Sequence, residues 1–515
     1  VTIFLSGPMG AGKSTLARAF SESGARVIDL DAAIEARVGV SAAEIIRTRG
    51  EAELRTIERA LARELVHAAD VMALGGGTVI DRALRRELLR AGTLITLTAS
   101  TDVLARRIGD AADRPLLGTD VRGSLARIVE ARADAYAECH ATLDTTDATP
   151  GALVERVRAI HAERPIVVPL GTRTYGIRVG AGVVARVENE VERLTPTRVV
   201  LVCDRNTRQH ASIVFRRLAE RVPLTEIVLE PGERHKTLTT VASIWDTAID
   251  AGADRRALVI AVGGGVVGDV AGFAAATLLR GVAFAQVPTS LLAMADASVG
   301  GKTAIDLAQG KNLVGAMHQP RFVLADLDAL ATLPAREHRS GLAEIVKAAW
   351  LAGEDDVRVL EREASELVSD PYRVAEPLRR ALATKIAIVA EDELETGIRA
   401  HLNLGHTVGH AIEAASGYAR THGECVALGL VAALRVGVAL GDATASDLAR
   451  MTRLLDTLGL LTDADDVLRD PRLLDYIRRD KKRDGDTVRF IVPGQPGNVR
   501  IERIEAAKIV SMARG

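Results

Sequence analysis

His406 and His410 stand four residues apart in Asn403-Leu-Gly-His-Thr-Val-Gly-His-Ala-Ile-Glu413, and His422 follows in Thr421-His-Gly-Glu424. Glu344 lies three residues before Lys347. A four-residue spacing puts two imidazoles on one helix face. Two histidines and a glutamate make the ligand set of a catalytic zinc that keeps one coordination position open. The spacing leaves open which two of the three histidines take part. Upstream, Gly263-Gly-Gly-Val-Val-Gly-Asp269 follows the apolar run Ala257–Val262. There a helix start rich in glycine suits the pyrophosphate of a dinucleotide. A metal beside a nicotinamide implies oxidation of an alcohol, with hydride passing to the cofactor. Asp204 and Asn206 end an earlier strand and suit adenosine hydroxyls, while Glu233 and Lys236 add polar groups in a turn. Arg280, Lys302, Lys311, Asn312, Lys385, Arg399 and the pair Lys481-Lys482 supply anion-binding groups, which suits a substrate bearing both phosphate and carboxylate.

A second phosphate site of different design opens the chain. Gly7-Pro-Met-Gly10-Ala-Gly12-Lys13-Ser14-Thr15 follows an apolar strand and precedes a helix, the Walker A arrangement. Backbone amides converge on phosphate oxygens, Lys13 meets the β- and γ-phosphates, and Ser14 ligates Mg²⁺. Asp29 and Asp31 close the next strand; one carboxylate suits Mg²⁺ and the other an acceptor hydroxyl, although such a pair also caps helices. Gly75-Gly76-Gly77 lets an acceptor lie against backbone. Arg55 and Arg132 suit an acidic acceptor, and Arg114 suits a lid arginine that meets transition-state charge.

The elements that must hold these groups are short strands alternating with amphipathic helices. Val1–Ser6, Arg26–Asp29, Val71–Leu74 and Thr93–Thr98 read as strands of a parallel α/β sheet with helices on both faces. Gly109–Arg122 reads as a mobile lid. Pro165 marks a restart, with Ile166–Leu170 and Tyr175–Val179 as a β pair. Arg198–Cys203, Ala257–Val262, Val282–Val287 and Phe322–Ala325 then continue a Rossmann-like α/β series. Beyond Pro334 helical periodicity dominates, apart from a late strand at Val488–Val492. The expected domains are therefore 1–163, a P-loop kinase domain; 164–330, a dinucleotide-binding α/β domain; and 331–515, a mainly helical metal-binding domain. At 515 residues the chain is long enough for several cores. Its 66 Lys and Arg nearly balance its 68 Asp and Glu, and only 3% of residues are aromatic, so neither nucleic acid nor a membrane is an expected partner. The apolar run Cys425–Gly441 contains Arg435 and reads as a buried helix rather than a span. Three scattered cysteines, none in a CxxC pair, point to the reducing cytoplasm.

Over nearly all of positions 1–162 these residues resemble shikimate kinase, through GPMGAGKST, Asp29/Asp31, Gly50-Glu51, Leu54-Arg55, Gly75-Gly-Gly77 and Arg114-Pro-Leu-Leu117. The resemblance implies ATP with Mg²⁺ at Gly10, Gly12, Lys13, Ser14, Thr15 and Asp29, and a role for Arg114 with ATP. It implies shikimate at Asp31, Arg55, Gly76 and Arg132, with Asp31 orienting the attacking hydroxyl. One segment departs: the family reads Arg-x-Pro-Leu-Tyr where this chain reads Arg132-Ala-Asp-Ala-Tyr136.

From about 166 to 515 the chain is similar to 3-dehydroquinate synthase, through GGGVVGDVAGFAAAT, Arg280-Gly281, Val287-Pro-Thr-Ser through Lys302-Thr, Lys311-Asn312, Glu344-Ile-Val-Lys347 and LNLGHTVGHAIE. This implies Zn²⁺ or Co²⁺ on Glu344, His406 and His422, with His410 left for proton transfer. It implies NAD⁺ at Asp204, Asn206, Glu233, Lys236, Gly264, Gly265, Asp269, Thr289, Ser290, Lys302, Lys311 and Thr332. The sugar acid phosphate would meet Arg280, Asp296, Lys302, Asn312, Lys347, Lys385, Arg399, Asn403 and one of Lys481/Lys482. The implied reaction converts 3-deoxy-D-arabino-heptulosonate 7-phosphate into 3-dehydroquinate. NAD⁺ takes and later returns hydride, phosphate leaves by β-elimination, and an intramolecular aldol closes the ring. A homodimer through the C-terminal half is also implied. Two other readings stand beside these: a different sugar phosphate cyclase in the second half, and a non-catalytic nucleotide-binding regulatory module in the first.

Overall fold

The structure is a computed structural model describing residues 1–109, 115–117, 120–478, 483–484 and 487–514. The chain divides into two compact units, Val1–Gly176 and Ile177–Gly515.

In the first unit β1 (Thr2–Ser6), β2 (Val27–Asp29), β3 (Val71–Ala73), β4 (Gly92–Thr98) and β5 (Ala141–Asp144) form one sheet in the order β2-β3-β1-β4-β5. All its pairings are parallel. Side chains alternate across a strand, so β1 sends Ile3 and Leu5 to one core and Phe4 to another. Val71, Ala73, Ile95 and Leu97 join the first core, against Leu16 and Phe20 of helix Lys13–Glu22 and Val157 of helix Pro150–Ala162. Met72 and Leu94 join the second, against Ile34, Leu61 and Leu88. Because helices cover both faces, central strands read as unbroken apolar runs. β5 escaped that signal because it is an edge strand, half exposed and polar at alternate positions. The strand order reverses beside β1, and the loops after β1, β2 and β3 meet at that switch point, where open α/β sheets bind ligands. A short strand, β6 (Ile166–Val168), lies near the end of the unit.

The second unit contains most of β7 (Tyr175–Gly180) and then β8 (Val199–Asp204), β9 (Leu224–Leu229), β10 (Leu258–Gly263), β11 (Ala283–Pro288) and β14 (Phe322–Asp326), ordered β7-β14-β11-β10-β8-β9. Pairings from β14 to β9 are parallel. Val200, Val202, Val259 and Ala261 face one core; Val199, Leu201, Leu258 and Ile260 face the other. Between β11 and β14 the chain makes an antiparallel ribbon, β12 (Lys302–Leu307) and β13 (Gly310–Met317). Neither edge strand β9 nor this ribbon is apparent in the sequence: β9 is partly buried, with Thr225 and Glu226 ahead of its apolar end, and β13 is largely exposed. Past β14 helices dominate, including Ala335–Ala352, Ala375–Glu391, His406–Ala415 and His422–Leu440. The strand expected late in the chain, Thr487–Pro493, is joined by an antiparallel partner, Val499–Glu505, that the sequence reading overlooked because charged residues interrupt its alternation. Helix His422–Leu440 is long and apolar enough to cross a membrane by length and composition, but 72% of its most apolar window is buried inside the protein.

Candidate active sites

In the first unit the glycine loop leaves β1 and enters helix Lys13–Glu22. Gly10 and Gly12 take φ of 80° and 91°, which side chains resist. Lys13 Nζ folds back to donate to the carbonyls of Gly7 (2.8 Å) and Pro8 (3.1 Å), over the space the loop encloses. Thr15 lies in the first turn of the helix. Ser14 Oγ donates to Asp29 Oδ2 at 2.7 Å, while Asp29 Oδ1 accepts from the amides of Asp31 (3.1 Å) and Ala32 (3.4 Å). Asp29 is thus a helix cap and a neighbour of Ser14 at once. These two oxygens, Ser14 Oγ and Asp29 Oδ2, would suit a hydrated Mg²⁺.

Asp31, Arg55 and Arg132 converge on the turn Gly75–Gly77. A Cβ on Gly75 would lie 2.2 Å from Glu58 Oε1 and 3.1 Å from Asp31 Oδ1, and one on Gly77 would lie 2.2 Å from Arg55 Cζ. Only glycine lets these groups approach the turn. Arg132 Nη1 and the Tyr136 hydroxyl both donate to the Gly76 carbonyl, at 2.9 and 2.6 Å. The departure between these two residues therefore leaves both at the turn. Arg55 is gripped by Glu51 and Glu58, each at 2.5 Å. Burial raises the Glu58 carboxyl pKa even against the Arg55 charge. A cavity of about 280 Å³ opens here, lined by Glu51, Arg55, Glu58, Arg59, Gly77 and Thr78. Glu58 was missed in the sequence and Glu51 entered only as part of a motif with no role, although their spacing of three and four residues from Arg55 on helix Glu51–Leu65 is a legible signal. Arg114 and part of the expected lid, Gly109–Arg122, lie outside the described residues, and Val121 already belongs to helix Val121–Ala131.

In the second unit three helices supply the cluster. Glu344 sits inside Ala335–Ala352, while His406 and His422 each open a helix. His422 Nε2 lies 3.1 Å and His406 Nε2 3.3 Å from Glu344 Oε1. The ligand atoms of these three residues lie within 4.8 Å of one another, and His410, Glu413 and His422 make a second such group. His406 Nδ1 lies 3.1 Å from the Leu404 carbonyl, which leaves Nε2 as the ligating nitrogen. Thr421 and Glu424 form a capping box that fixes the start of the His422 helix. Burial would depress the His422 imidazole pKa, but the hydrogen bonds it donates to Glu344 and Glu413 raise it to about 10. Two imidazole nitrogens and a carboxylate oxygen gathered this closely are a donor set that fits a divalent ion.

Around this cluster the cations and carboxylates are paired. Lys347 Nζ lies 2.5 Å from Glu344 Oε2 and 3.7 Å from Asp296 Oδ1; Lys385 Nζ lies 2.8 Å from Asp296 Oδ1. Burial would raise the Asp296 carboxyl, yet Lys385 and Lys347 hold it well below the usual range. Lys302 Nζ and Asn403 Nδ2 both meet Glu395, at 2.5 and 2.9 Å. Arg399 is almost fully buried and donates to the carbonyls of Gly300 and Glu393. Its guanidinium is thus already bound to backbone.

At the glycine turn β10 ends in Gly263, and Gly264 precedes helix Gly265–Thr277 with no side chain capping it. A dinucleotide pyrophosphate fits these first-turn amides. Ser290 Oγ lies 3.5 Å from where a Gly264 Cβ would stand, and the Thr289 amide donates to the Gly263 carbonyl at 3.0 Å. β8 and β10 are neighbours, with Cys203 opposite Val262, so Asp204 ends beside the turn. Its Oδ1 accepts from Thr207, and Asn206 is exposed two residues on. His210 Nε2, 3.0 Å from Thr332 Oγ1, ties Thr332 to the helix after that strand. A chain of charges runs from this turn to the cluster. Asp269 meets Lys236 (2.6 Å), Lys236 meets Asn312 and Glu233 (3.9 Å), Glu233 meets Lys311 (3.3 Å), and Lys311 meets Glu413 (2.8 Å), which lies 3.5 Å from His422. Glu413 and Glu395 were not singled out in the sequence; Glu413 carries the signal of lying seven residues after His406, two turns along the same face. Arg280 is not gathered here. It is exposed, with φ 69°, and follows the far end of helix Gly265–Thr277, about 20 Å from the glycine turn at 1.5 Å per residue. Lys481 and Lys482 lie outside the described residues.

A P-loop phosphotransferase and a cyclase with nucleotide and metal sites are the classes these two units define. Family models of shikimate kinase (residues 9–161), the 3-dehydroquinate synthase N-terminal region (226–340) and its C-terminal region (341–483) match the chain. A 3-dehydroquinate synthase of Symbiobacterium thermophilum is 43% identical over 337 residues, 64% of this chain and 94% of that protein. The crystal structure of a 2-deoxy-scyllo-inosose synthase complexed with carbaglucose-6-phosphate, NAD+ and Co2+ is similar at 28% identity and a TM-score of 0.61, covering 66% of this chain and 96% of that one. A 2-epi-5-epi-valiolone synthase from Streptomyces hygroscopicus subsp. jinggangensis with NAD+ and Zn2+ bound is similar at 27% identity and a TM-score of 0.58, covering 66% and 95%. The chain belongs to the 3-dehydroquinate synthase family and carries a shikimate kinase domain ahead of it. It is a bifunctional shikimate-pathway enzyme, kinase and lyase in one polypeptide.

Proposed function

We propose the following division of roles. In the first domain, residues 1–163, Gly10, Gly12, Lys13, Ser14 and Thr15 hold ATP, and Ser14 with Asp29 holds Mg²⁺. Arg55, Gly76 and Arg132 hold shikimate, and Asp31 orients its hydroxyl toward the γ-phosphate. The convergence of Asp31, Arg55 and Arg132 on one glycine turn supports this reading. Lys13 neutralises charge building on the phosphates.

In the second half, residues 164–330 hold NAD⁺ at Gly264, Gly265, Asp269 and the Lys236–Lys311 chain, and residues 331–515 hold a divalent ion, Zn²⁺ or Co²⁺, at Glu344, His406 and His422. When bound, these groups supply a hydride acceptor and a Lewis acid for the substrate's alcohol. The grouping of those three ligand atoms within 4.8 Å carries the proposal. Lys302, Lys347, Lys385 and Asn403 bind and orient the sugar acid phosphate. His410, exposed and with its ring 5.2 Å from that of His406, moves protons at the substrate. A homodimer through the second half is part of the proposal; the exposed apolar residues Leu313, Val314 and Met317 of the β12–β13 ribbon support it. A cytoplasmic setting is supported by three unpaired, buried cysteines. The test is mass spectrometry of products made by the purified protein from ATP with shikimate, and separately from the heptulosonate 7-phosphate with NAD⁺ and metal. A different carbocycle from the second mixture would turn the second half into another sugar phosphate cyclase. ATP turnover that ignores shikimate would remove the kinase role.

A further inference from the structure

We infer that the turn Leu170–Thr174, which follows the last residue matched by the kinase family, positions the acceptor turn Gly75–Gly77 through Asp134 and Glu138. The turn is closed on itself: the Thr174 amide donates to the Gly171 carbonyl (3.0 Å), as does the Thr174 hydroxyl (2.6 Å). It then presents two backbone amides to one short helix, Ala133–Ala137, and the residue after it. The Thr172 amide donates to Asp134 Oδ1 and the Gly171 amide to Glu138 Oε1, both at 2.9 Å. Gly171 has φ 60°, and a Cβ there would lie 2.3 Å from Asp134 Oδ1, so the approach requires glycine.

From these two carboxylates the bracing reaches both sides of the acceptor turn. Arg132 and Tyr136, flanking Asp134, hold the Gly76 carbonyl. Glu138 Oε2 accepts from Arg85 Nε at 2.7 Å, in a pair with side chains 9% and 6% exposed. Arg85 in turn donates to the carbonyls of Val79 (2.5 Å) and Ile80 (3.3 Å), in the 3₁₀ turn that begins immediately after Gly77. Asp134 stands where the shikimate kinase pattern has proline, whose side chain offers no acceptor for a backbone amide. The departure in the sequence is thus the group that receives the added turn. Asp134 and Glu138 are positioning residues: each acts through Arg132, Tyr136 or Arg85.

This inference rests on the assignment of Gly76 and Arg132 to the acceptor. The test uses the full-length protein and compares KM for shikimate with KM for ATP in Asp134→Ala, Asp134→Asn and Gly171→Ala. Asp134→Ala should raise KM for shikimate about three- to tenfold, the worth of one ordinary hydrogen bond at an exposed carboxylate, with KM for ATP unchanged. Asp134→Asn keeps an Oδ1 acceptor and should stay within about twofold of the unaltered enzyme. Gly171→Ala should act in the same direction, and less than additively with Asp134→Ala, because both break one contact. Equal shifts in both KM values, an Asn variant as impaired as Ala, or no shift in any variant would overturn the brace alone. No shikimate-dependent turnover by the unaltered protein would overturn the acceptor assignment, and the brace with it.

Discussion

Gly423 follows His422, and adding one methyl group there should take the metal cluster apart. Its amide donates to Ser340 Oγ at 2.9 Å, and Ser340 lies one helical turn before Glu344. The Gly423–Ser340 contact therefore sets the spacing between His422 and Glu344. A Cβ on Gly423 would stand 2.0 Å from the Ser340 carbonyl oxygen and 2.4 Å from its Cα. Both neighbours are backbone inside a helix and cannot swing aside. Relief to the 3.0 Å that real Cβ atoms keep requires the helix start to withdraw by about 1 Å. Metal–ligand distances tolerate only about 0.2 Å. Gly423→Ala should therefore remove His422 from the ligand set and weaken metal binding about 100-fold or more, roughly 2.8 kcal/mol. The overpacking itself costs about 1–3 kcal/mol of stability. The assay is zinc titration of apoprotein against a competing chelator, with cyclisation measured at each free zinc level. Shikimate phosphorylation by the same sample serves as the control for intact protein. Wild-type zinc affinity together with wild-type cyclisation would refute the argument.

Lys13→Ala should abolish ATP-dependent phosphorylation, by about 10²-fold or more, while phosphate release from the heptulosonate substrate continues; a coupled ADP assay and a phosphate assay on one preparation check this. Glu413→Gln removes the charge beside His422 Nδ1 and should lower zinc affinity about tenfold by the same competition titration, with Glu344 and both histidines in place. Burial lifts the Asp269 carboxyl to about 6 despite Lys236, so between its ordinary value of about 3.9 and 6 the folded chain binds more protons than the unfolded one. This group's contribution to stability is therefore fully present below about 3.9 and is lost as pH rises through 6. Asp269→Asn should flatten that part of the Tm profile measured between pH 4 and 7, and an unaltered slope would contradict the assignment.

Several features were legible because they are local. A glycine loop between a strand and a helix needs only neighbouring residues, and Gly7–Thr15 and Gly263–Asp269 both occupy that context. Central strands announce themselves because both faces are buried, whereas β5, β9 and the β12–β13 ribbon sit at edges or in the open and are interrupted by polar residues. Arg399 looked like an anion-binding group because its charge is visible in the sequence; its engagement with two backbone carbonyls is not.

The residue types alone thus determined which chemistries the chain has the parts for: phosphate loops, a pair of strand-end carboxylates, imidazoles with a glutamate, and lysines to hold anions. Tertiary structure decided which parts meet. His422 reaches Glu344 across 78 positions, Arg132 reaches Gly76 across 56, and Asp134 reaches Thr172 across 38. Such pairings depend on how closely two helices or turns approach, and that is set by what lies between them: the missing side chains of Gly75, Gly77, Gly171 and Gly423. A glycine in a sequence says only that a side chain is absent; the packed fold says what takes its place.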